Sequence, residues 1–262
     1  MIHNTAIISK SAEIDQSVEI GPFCVIGDKV KIANGTKILS HVVIDGKTTI
    51  GKNNKIFPFS TIGLIPQDLK FKGEDSQLII GDNNTIREHT TLHLGTADGG
   101  GITKIGSHNL LMVGVHIAHD CLVGDHVILA NNATIAGHVI IGNHVVIGGL
   151  SAVHQFVRIG EFAMVGGMSG VESDVIPYGL VMGERASLAG LNLVGMKRNE
   201  ISRDEIHALR NFYKLIFNGQ DSSSFVERAN KIATEFSDKQ TVKIVTDFIN
   251  SETTRSFCQP KN

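Results

Sequence analysis

Residues Glu13–Ile44 read EIDQSVEIGPFCVIGDKVKIANGTKILSHVVI, with isoleucine at every sixth position: Ile14, Ile20, Ile26, Ile32, Ile38 and Ile44. The series reaches back to Ile8 and forward through Ile50, Ile56 and Ile62. It resumes at Ile80, Ile86 and Leu92. After a second break it runs Ile105, Leu111, Ile117, Val123, Leu129, Ile135, Ile141, Ile147, Val153, Ile159, Val165 and Val171. Every position holds Ile, Leu or Val. A fixed period on this scale marks a repeat architecture. Six residues suit neither a helix nor an ordinary amphipathic strand. They suit a chain that turns a corner after each short strand and points one aliphatic side chain inward per side.

Glycine often follows the aliphatic position, as at Gly21, Gly27, Gly51, Gly81, Gly106, Gly124, Gly142, Gly148 and Gly160. The runs GKNN, GDNN and ANNA add asparagine and aspartate, which tolerate left-handed backbone. Three sides of six residues make one coil of 18, and coils stack through backbone hydrogen bonds at ~4.8 Å per layer. The expected fold is an all-β solenoid over residues 1–189, followed by a helical C-terminal domain over 190–262.

Two segments interrupt the repeat and are expected as external loops. Residues 63–78 (GLIPQDLKFKGEDSQL) keep its phase and read as one coil's worth of chain thrown outward. Residues 93–104 (HLGTADGGGITK) shift the phase by one and carry three consecutive glycines. Loops on a regular scaffold commonly carry function. After Pro177 the pattern changes. Ser202 and Glu205 suggest a capping box. Ile206, Leu209, Tyr213, Ile216 and Phe217 form an apolar stripe at helical spacing, with Gly219 as its expected stop. SSSFVERANKIATEF and KQTVKIVTDFINS read as two further amphipathic helices.

The 24 Lys and Arg nearly balance 26 Asp and Glu, so no global field favours nucleic acid or a membrane surface. No run approaches the ~18 apolar residues of a membrane span, and the N-terminus has no signal-peptide pattern. Cys24, Cys121 and Cys258 lack CxxC spacing and read as reduced thiols of a cytoplasmic protein.

Histidines are dense around VHIAHDCLVGDHVILANNATIAGHV, Val115–Val139. Those on outer turns (His3, His41, His89, His108, His126, His144) read as solvated decoration. The period separates out another group. Ile117, Ile135 and Val153 stack, so His119, Gly137 and Gln155, two residues beyond each, form a second column. His116, His138 and His154 flank it, and Asp120 follows His119 as a carboxylate able to fix an imidazole tautomer. Two chemistries fit. A neutral His119 could act as general base, with the Gly137 N–H as oxyanion donor. Three histidines could instead hold zinc for a hydratase, although Gly137 and Gln155 in the column are not zinc ligands. A non-catalytic β-helical scaffold would leave the column without purpose.

PQDLKFKGE, HIAHDCLVGD, ILANNATIAGHV and AVHQFVRIG, in this order, make the chain similar to the acyl-carrier-protein–UDP-N-acetylglucosamine O-acyltransferases of lipid A synthesis. The resemblance covers nearly the whole chain and implies a left-handed parallel β-helix, a homotrimer with sites in clefts between prisms, and no cofactor or metal. It implies transfer of a 3-hydroxyacyl chain from acyl carrier protein to the sugar 3-hydroxyl, or to a 3-amino analogue of the same sugar nucleotide. His119 would be the base, Asp120 its orienting group and Gly137 the oxyanion donor. Gln67, Asp68, Lys70, His116, His138, His154 and Gln155 would contact sugar nucleotide or acyl chain, and Asn192 and Arg198 the nucleotide. Gly167 would leave the acyl groove long, for a chain near 3-hydroxymyristoyl. Lys197, Arg198, Arg203, Arg210 and Lys214 would offer an acidic carrier protein a basic surface. A related N-acyltransferase of the pathway is disfavoured, because the repeat begins at Ile8 and leaves no room for an N-terminal uridine-binding domain.

Overall fold

A computed structural model describes residues 1–218 and 223–261. From Ile7 to Val171 the chain is a run of short strands, most of two residues, each carrying one aliphatic repeat position. Every third strand pairs in parallel with the next of its kind, giving three sheets of nine, eight and ten strands. They are the faces of a prism, named here by one coil's inward residues: the Ile117 face, the Val123 face and the Leu129 face. Ile117 pairs with Ile135, and Ile135 with Val153. Parallel strands need no separate crossover, because the next two sides of the coil are the connection.

Every repeat position from Ile20 onward is buried. Each such side chain contributes about 1.5–3 kcal/mol by leaving water. Buried polar groups at the corners pair in the same repeating manner. The Asn54, Asn84 and Asn109 amides donate to the Gly81, Gly106 and Gly124 carbonyls. Their side-chain oxygens accept the N–H of Asn84, Asn109 and Val127 one coil on.

The corners explain many of the histidines. His41, His89, His108, His126 and His144 all have φ between 57° and 60°. Left-handed backbone disfavours branched side chains and is several-fold enriched in Asn, Asp and His. Stacking then aligns the rings. His108, His126, His144 and Phe162 form a ladder at the corner between the Val123 and Leu129 faces, with centroids 4.6–4.9 Å apart.

Both loops leave from one corner, between the Ile117 and Val123 faces. The first joins Thr61–Leu64 to Gln77–Ile80, and the second joins Thr91–His93 to Ile102–Ile105. The first is shorter than one coil. Ile62 pairs with Leu92 while Ile80 pairs with Ile105, so the two sit on successive faces and six of the intervening residues are an ordinary side. The loops join where the Ala97 N–H donates to the Glu74 carboxylate at 3.0 Å and Lys70 faces Asp98 at 3.6 Å.

The prism closes with Gly179–Met182, which extends the Leu129 face and pairs antiparallel with Ser187–Leu191. Four helices follow: α1 (Leu193–Arg198), α2 (Arg203–Ile216), α3 (Phe225–Ala233) and α4 (Gln240–Asn250). The expected stripe on α2 is buried at Ile206, Leu209 and Ile216 and half-buried at Tyr213 and Phe217, joined by Phe212 and Ala208. The capping box expected at Ser202 forms only by half. Ser202 Oγ accepts the Glu205 N–H, but the Glu205 carboxylate accepts the N–H groups of Gln240 and Thr241. These are orphan donors of α4, whose N-cap position, Lys239, supplies no side-chain cap. The complete box lies on α3, between Ser224 and Glu227. Gly219 lies outside the described residues; α2 ends before it, at Ile216.

Candidate active site

The corner that emits both loops carries the candidate site in the next coil. His119 and Asp120 are each 6% exposed, and His119 Nδ1 lies 2.7 Å from Asp120 Oδ2. Asp120 has φ 60°, which turns the chain so that its side chain meets its neighbour's ring. The second loop completes its coordination. The Thr96 N–H donates to Oδ1 at 2.8 Å and the Thr96 hydroxyl to Oδ2 at 2.6 Å. Three donors fix the carboxylate, and an ionised carboxylate only accepts. His119 Nδ1 therefore carries the proton, and Nε2 is the free, basic nitrogen.

Glycines make the space. A Cβ on Gly137 would lie 2.6 Å from His119 Cε1 and 2.7 Å from Nε2. A Cβ on Gly99, in the second loop, would collide with the Asp120 carboxylate. The Gly137 N–H has no hydrogen-bond partner among the described residues, so a donor beside the His119 imidazole is available.

Other imidazoles converge. His138 packs edge-on against His119 with centroids 5.0 Å apart, stacks on Phe156 at 4.4 Å, and places Nδ1 4.0 Å from Asp120 Oδ2. Burial holds its pKa below the ordinary histidine value, against the opposing pull of Asp120. His116 Nδ1 meets the Thr91 hydroxyl at 2.6 Å. Its pKa is lowered by burial and by His119.

Four residues at this corner were not read from the sequence: Thr96, Gly99, His93 and Arg255. His93 is 6% exposed and packs edge-on against His116 at 4.9 Å. Burial first, then the neighbouring His116 and His119, pushes its pKa to about 4. Its Nδ1 has no hydrogen-bond partner among the described residues.

The remaining expected residues lie farther out. Asp68 and Lys70 line a cleft of about 420 Å³ between the two loops, together with Thr96, Ala97 and Asp98. Gln67 is exposed on the same loop. His154 and Gln155 are exposed one coil beyond Gly137, and the C-terminal tail holds them. Arg255 reaches His154 Nδ1 at 2.8 Å and the Gln155 carbonyl at 3.0 Å. Gly167 is exposed at the corner between the Leu129 and Ile117 faces, where a Cβ would come no nearer than 3.4 Å to another atom. Asn192 is buried and engaged. Its amide donates to the Phe162 carbonyl and its oxygen caps α1 through the Gly195 N–H. Arg198 is exposed at the end of α1. Within one chain Asn192 sits at the Phe162 corner, away from the His119 corner.

His119, Asp120 and His138 also form a group with donor atoms within 4.8 Å of one another, the one candidate metal-binding set among the described residues. Within it, His119 Nδ1 and Asp120 Oδ2 bond each other.

The comparisons with known proteins agree with this architecture. A family model for bacterial transferase hexapeptide repeats matches residues 102–137, and the second-domain model of UDP N-acetylglucosamine O-acyltransferase matches 174–258. The acyl-[acyl-carrier-protein]–UDP-N-acetylglucosamine O-acyltransferase of Rickettsia prowazekii is 55% identical over 99% of this chain and 98% of its own. That of Thermodesulfovibrio yellowstonii is 49% identical over 98% and 99%. The solved structure of LpxA from Acinetobacter baumannii superimposes with a TM-score of 0.94 at 47% identity, covering 98% of this chain and 99% of the other. The solved UDP-N-acetylglucosamine acyltransferase from Campylobacter jejuni gives 0.92 at 39% identity, with both chains covered in full. The fold is thus the left-handed parallel β-helix with a helical C-terminal part that the sequence led one to expect. With identity of this level over nearly its whole length, the chain belongs to the acyl-[acyl-carrier-protein]–UDP-N-acetylglucosamine O-acyltransferase family and is an acyltransferase.

Proposed function

We propose that this enzyme transfers a 3-hydroxyacyl chain from acyl carrier protein to the 3-hydroxyl of UDP-N-acetylglucosamine, for lipid A synthesis, with His119 as general base. The observation that carries the mechanism is the His119–Asp120 pair. With its proton on Nδ1 held by Asp120, His119 presents a basic Nε2. That atom takes the proton from the sugar hydroxyl as its oxygen attacks the thioester carbonyl. The Gly137 N–H donates to the resulting oxyanion. Collapse breaks the C–S bond, and the imidazolium returns its proton to the departing thiolate. The products are the 3-O-acyl sugar nucleotide and the free carrier thiol. The thioester supplies the driving force, so no cofactor is required.

His116, His138, His154, Gln155, Gln67, Asp68 and Lys70 are assigned to the sugar nucleotide and the head of the acyl chain. The exposed lysine side chain in the cleft beside Asp98 is free to move onto an anionic group. Asn192 and Arg198 are assigned to the nucleotide. Since they occupy another corner of the prism, a homotrimer with corners facing is the assembly that brings them to the His119 of a neighbouring chain. Arg198 supplies the charge there, and Asn192, with both ends of its amide engaged, shapes the start of α1. Gly167 leaves room for a long acyl chain, near 3-hydroxymyristoyl. The exposed basic residues Lys197, Arg198, Arg203, Arg210 and Lys214 suit an acidic carrier. A cytoplasmic location follows from these two soluble substrates; no described helix is long and apolar enough to cross a membrane.

The metal-binding grouping of His119, Asp120 and His138 favours one second reading, a zinc-dependent hydratase. It is the weaker reading, because the Asp120 carboxylate of this set is already occupied by the Thr96 N–H, the Thr96 hydroxyl and His119 Nδ1. The test is acyl transfer from 3-hydroxyacyl carrier protein to UDP-N-acetylglucosamine, with His119→Ala beside wild type and chelator present. Activity that survives chelation and falls by about 10³-fold or more in the variant is expected. Acylation of the 3-amino analogue alone changes the acceptor and keeps the class. No transfer to either, with stoichiometric zinc, shifts the reading to the hydratase.

A further inference from the structure

The C-terminal tail is the part of the molecule whose contacts with the site go beyond the mechanism above. Residues after α4 cross the end of the prism instead of leaving it. The Asp174 N–H donates to the Ser256 carbonyl and the Cys258 N–H to the Asp174 carbonyl, both at 2.8 Å. The Leu188 N–H reaches the Gln259 carbonyl at 2.9 Å. Beneath lies a buried node. Asp174 is fully buried and Arg158 is 8% exposed. Arg158 Nε donates to Asp174 Oδ2 at 2.7 Å, and the guanidinium lies 4.5 Å from the Phe248 ring centroid. The Thr253 hydroxyl donates to the same carboxylate at 2.7 Å and accepts the Arg255 N–H at 3.0 Å. A buried ion pair broken on one side is costly, so this node fixes the backbone that carries Arg255.

From that anchored backbone the Arg255 guanidinium bridges two acceptors, His154 Nδ1 at 2.8 Å and the Gln155 carbonyl at 3.0 Å. Arginine has no acceptor, so His154 Nδ1 must accept. The 3.3 Å approach of His154 Nδ1 to the Gln155 carbonyl is then two acceptors held by one cation. An imidazole that accepts at Nδ1 carries its proton on Nε2. His154 and His119 thus hold opposite tautomers: His119 offers a lone pair, His154 an N–H.

We propose that Arg255 is a positioning residue of the sugar-nucleotide site. It holds His154 in the Nε2–H tautomer so that this N–H donates to an acceptor oxygen of the sugar nucleotide. The inference rests on the acyl-transfer reading for the identity of the ligand. The geometry around Arg255 stands without it.

The experiment compares wild type with Arg255→Ala and Arg255→Lys in three readouts: steady-state kinetics, binding of UDP-N-acetylglucosamine without acyl donor, and ¹⁵N spectra of the histidine rings, with His154 assigned by His154→Gln. In Arg255→Ala, KM and Kd for the sugar nucleotide are expected to rise about tenfold. There kcat changes by less than about threefold, and the His154 signals move from one tautomer to an averaged pattern. Arg255→Lys restores part of the affinity, since an ammonium donates to one acceptor and not to two. An unchanged His154 spectrum with unchanged Kd overturns the proposal. So does an equal loss of kcat, Kd and thermal stability, which would make Arg255 a tail clamp. If wild-type protein transfers no acyl chain, the functional reading has failed, and the spectra and binding still decide on Arg255.

Discussion

Two groups of histidines sit on one scaffold, in different surroundings. At the corner between the Val123 and Leu129 faces, His108, His126 and His144 stack as parallel rings and no carboxylate is bonded to them. At the corner between the Ile117 and Val123 faces, His119 meets a buried carboxylate, lies over a glycine and is covered by a loop. The backbone repeat is the same at both. The difference lies in what breaks the repeat: a glycine, Gly137, that admits a ring, and an insertion that delivers Thr96 to Asp120. A reactive imidazole here is made by its surroundings, and changes that degrade those surroundings should turn the second corner into the first.

Among changes to the surroundings of His119, the largest effect is expected from Gly137→Ala. The new methyl would lie 2.6 Å from the His119 ring. The ring must tilt away, because Asp120 and Thr96 hold its other side. A misplacement of ~1 Å in a positioned catalytic group costs about 10²-fold, so kcat should fall by about that factor. The thermal midpoint should move only a few degrees, because the nearest overlap is with the end of the His119 side chain and not with backbone. A kcat within threefold of wild type would show that His119 is not held as tightly as its contacts suggest.

A smaller effect concerns His93, the buried histidine beneath the site. Its folded pKa lies near 4, well below the ordinary 6.5. The unfolded chain therefore binds the proton first. Stability is fully present above about pH 6.5, falls as pH drops toward 4, and levels off below that. The shift corresponds to roughly 3 kcal/mol at full development. Denaturant unfolding at pH 7 and pH 5 should show His93→Phe losing less stability than wild type over that interval. Identical pH dependence in the two proteins would mean that folding does not lower the His93 pKa.

The fold was legible because a solenoid writes its core into the sequence at fixed intervals. The period put His119, Gly137 and Gln155 in one column, and the strand register agrees. His93 was within reach of the same reasoning. Leu92 pairs with Ile117, so the residue after Leu92 must lie under the coil that carries His119. Thr96 and Gly99 were not legible, because the loop that bears them has no period and its path depends on the pairings it makes. Arg255 is a hundred residues from Gln155, and the connection runs through a buried ion pair that no local pattern announces. Asn192 was singled out, and its local bonds were not legible. Its side chain is engaged within the chain on both ends, as befits the residue that starts a helix.

The smallest expected effect tests the other half of the comparison. His126 is exposed, has φ 57° and stacks between His108 and His144. If its place is set by backbone alone, His126→Asn should leave activity unchanged and alter stability by less than about 0.5 kcal/mol, because asparagine tolerates the same left-handed conformation. His126→Val should cost about 1–2 kcal/mol, the penalty for forcing a branched side chain into that region. Neither variant should change KM for either substrate. The pair of substitutions separates ring from backbone. Equal losses in both would mean that the stacked imidazoles themselves hold the corner. A loss in valine alone assigns these histidines to the geometry of the turn, and leaves the His119 corner as the place where the same residue type acquires a function.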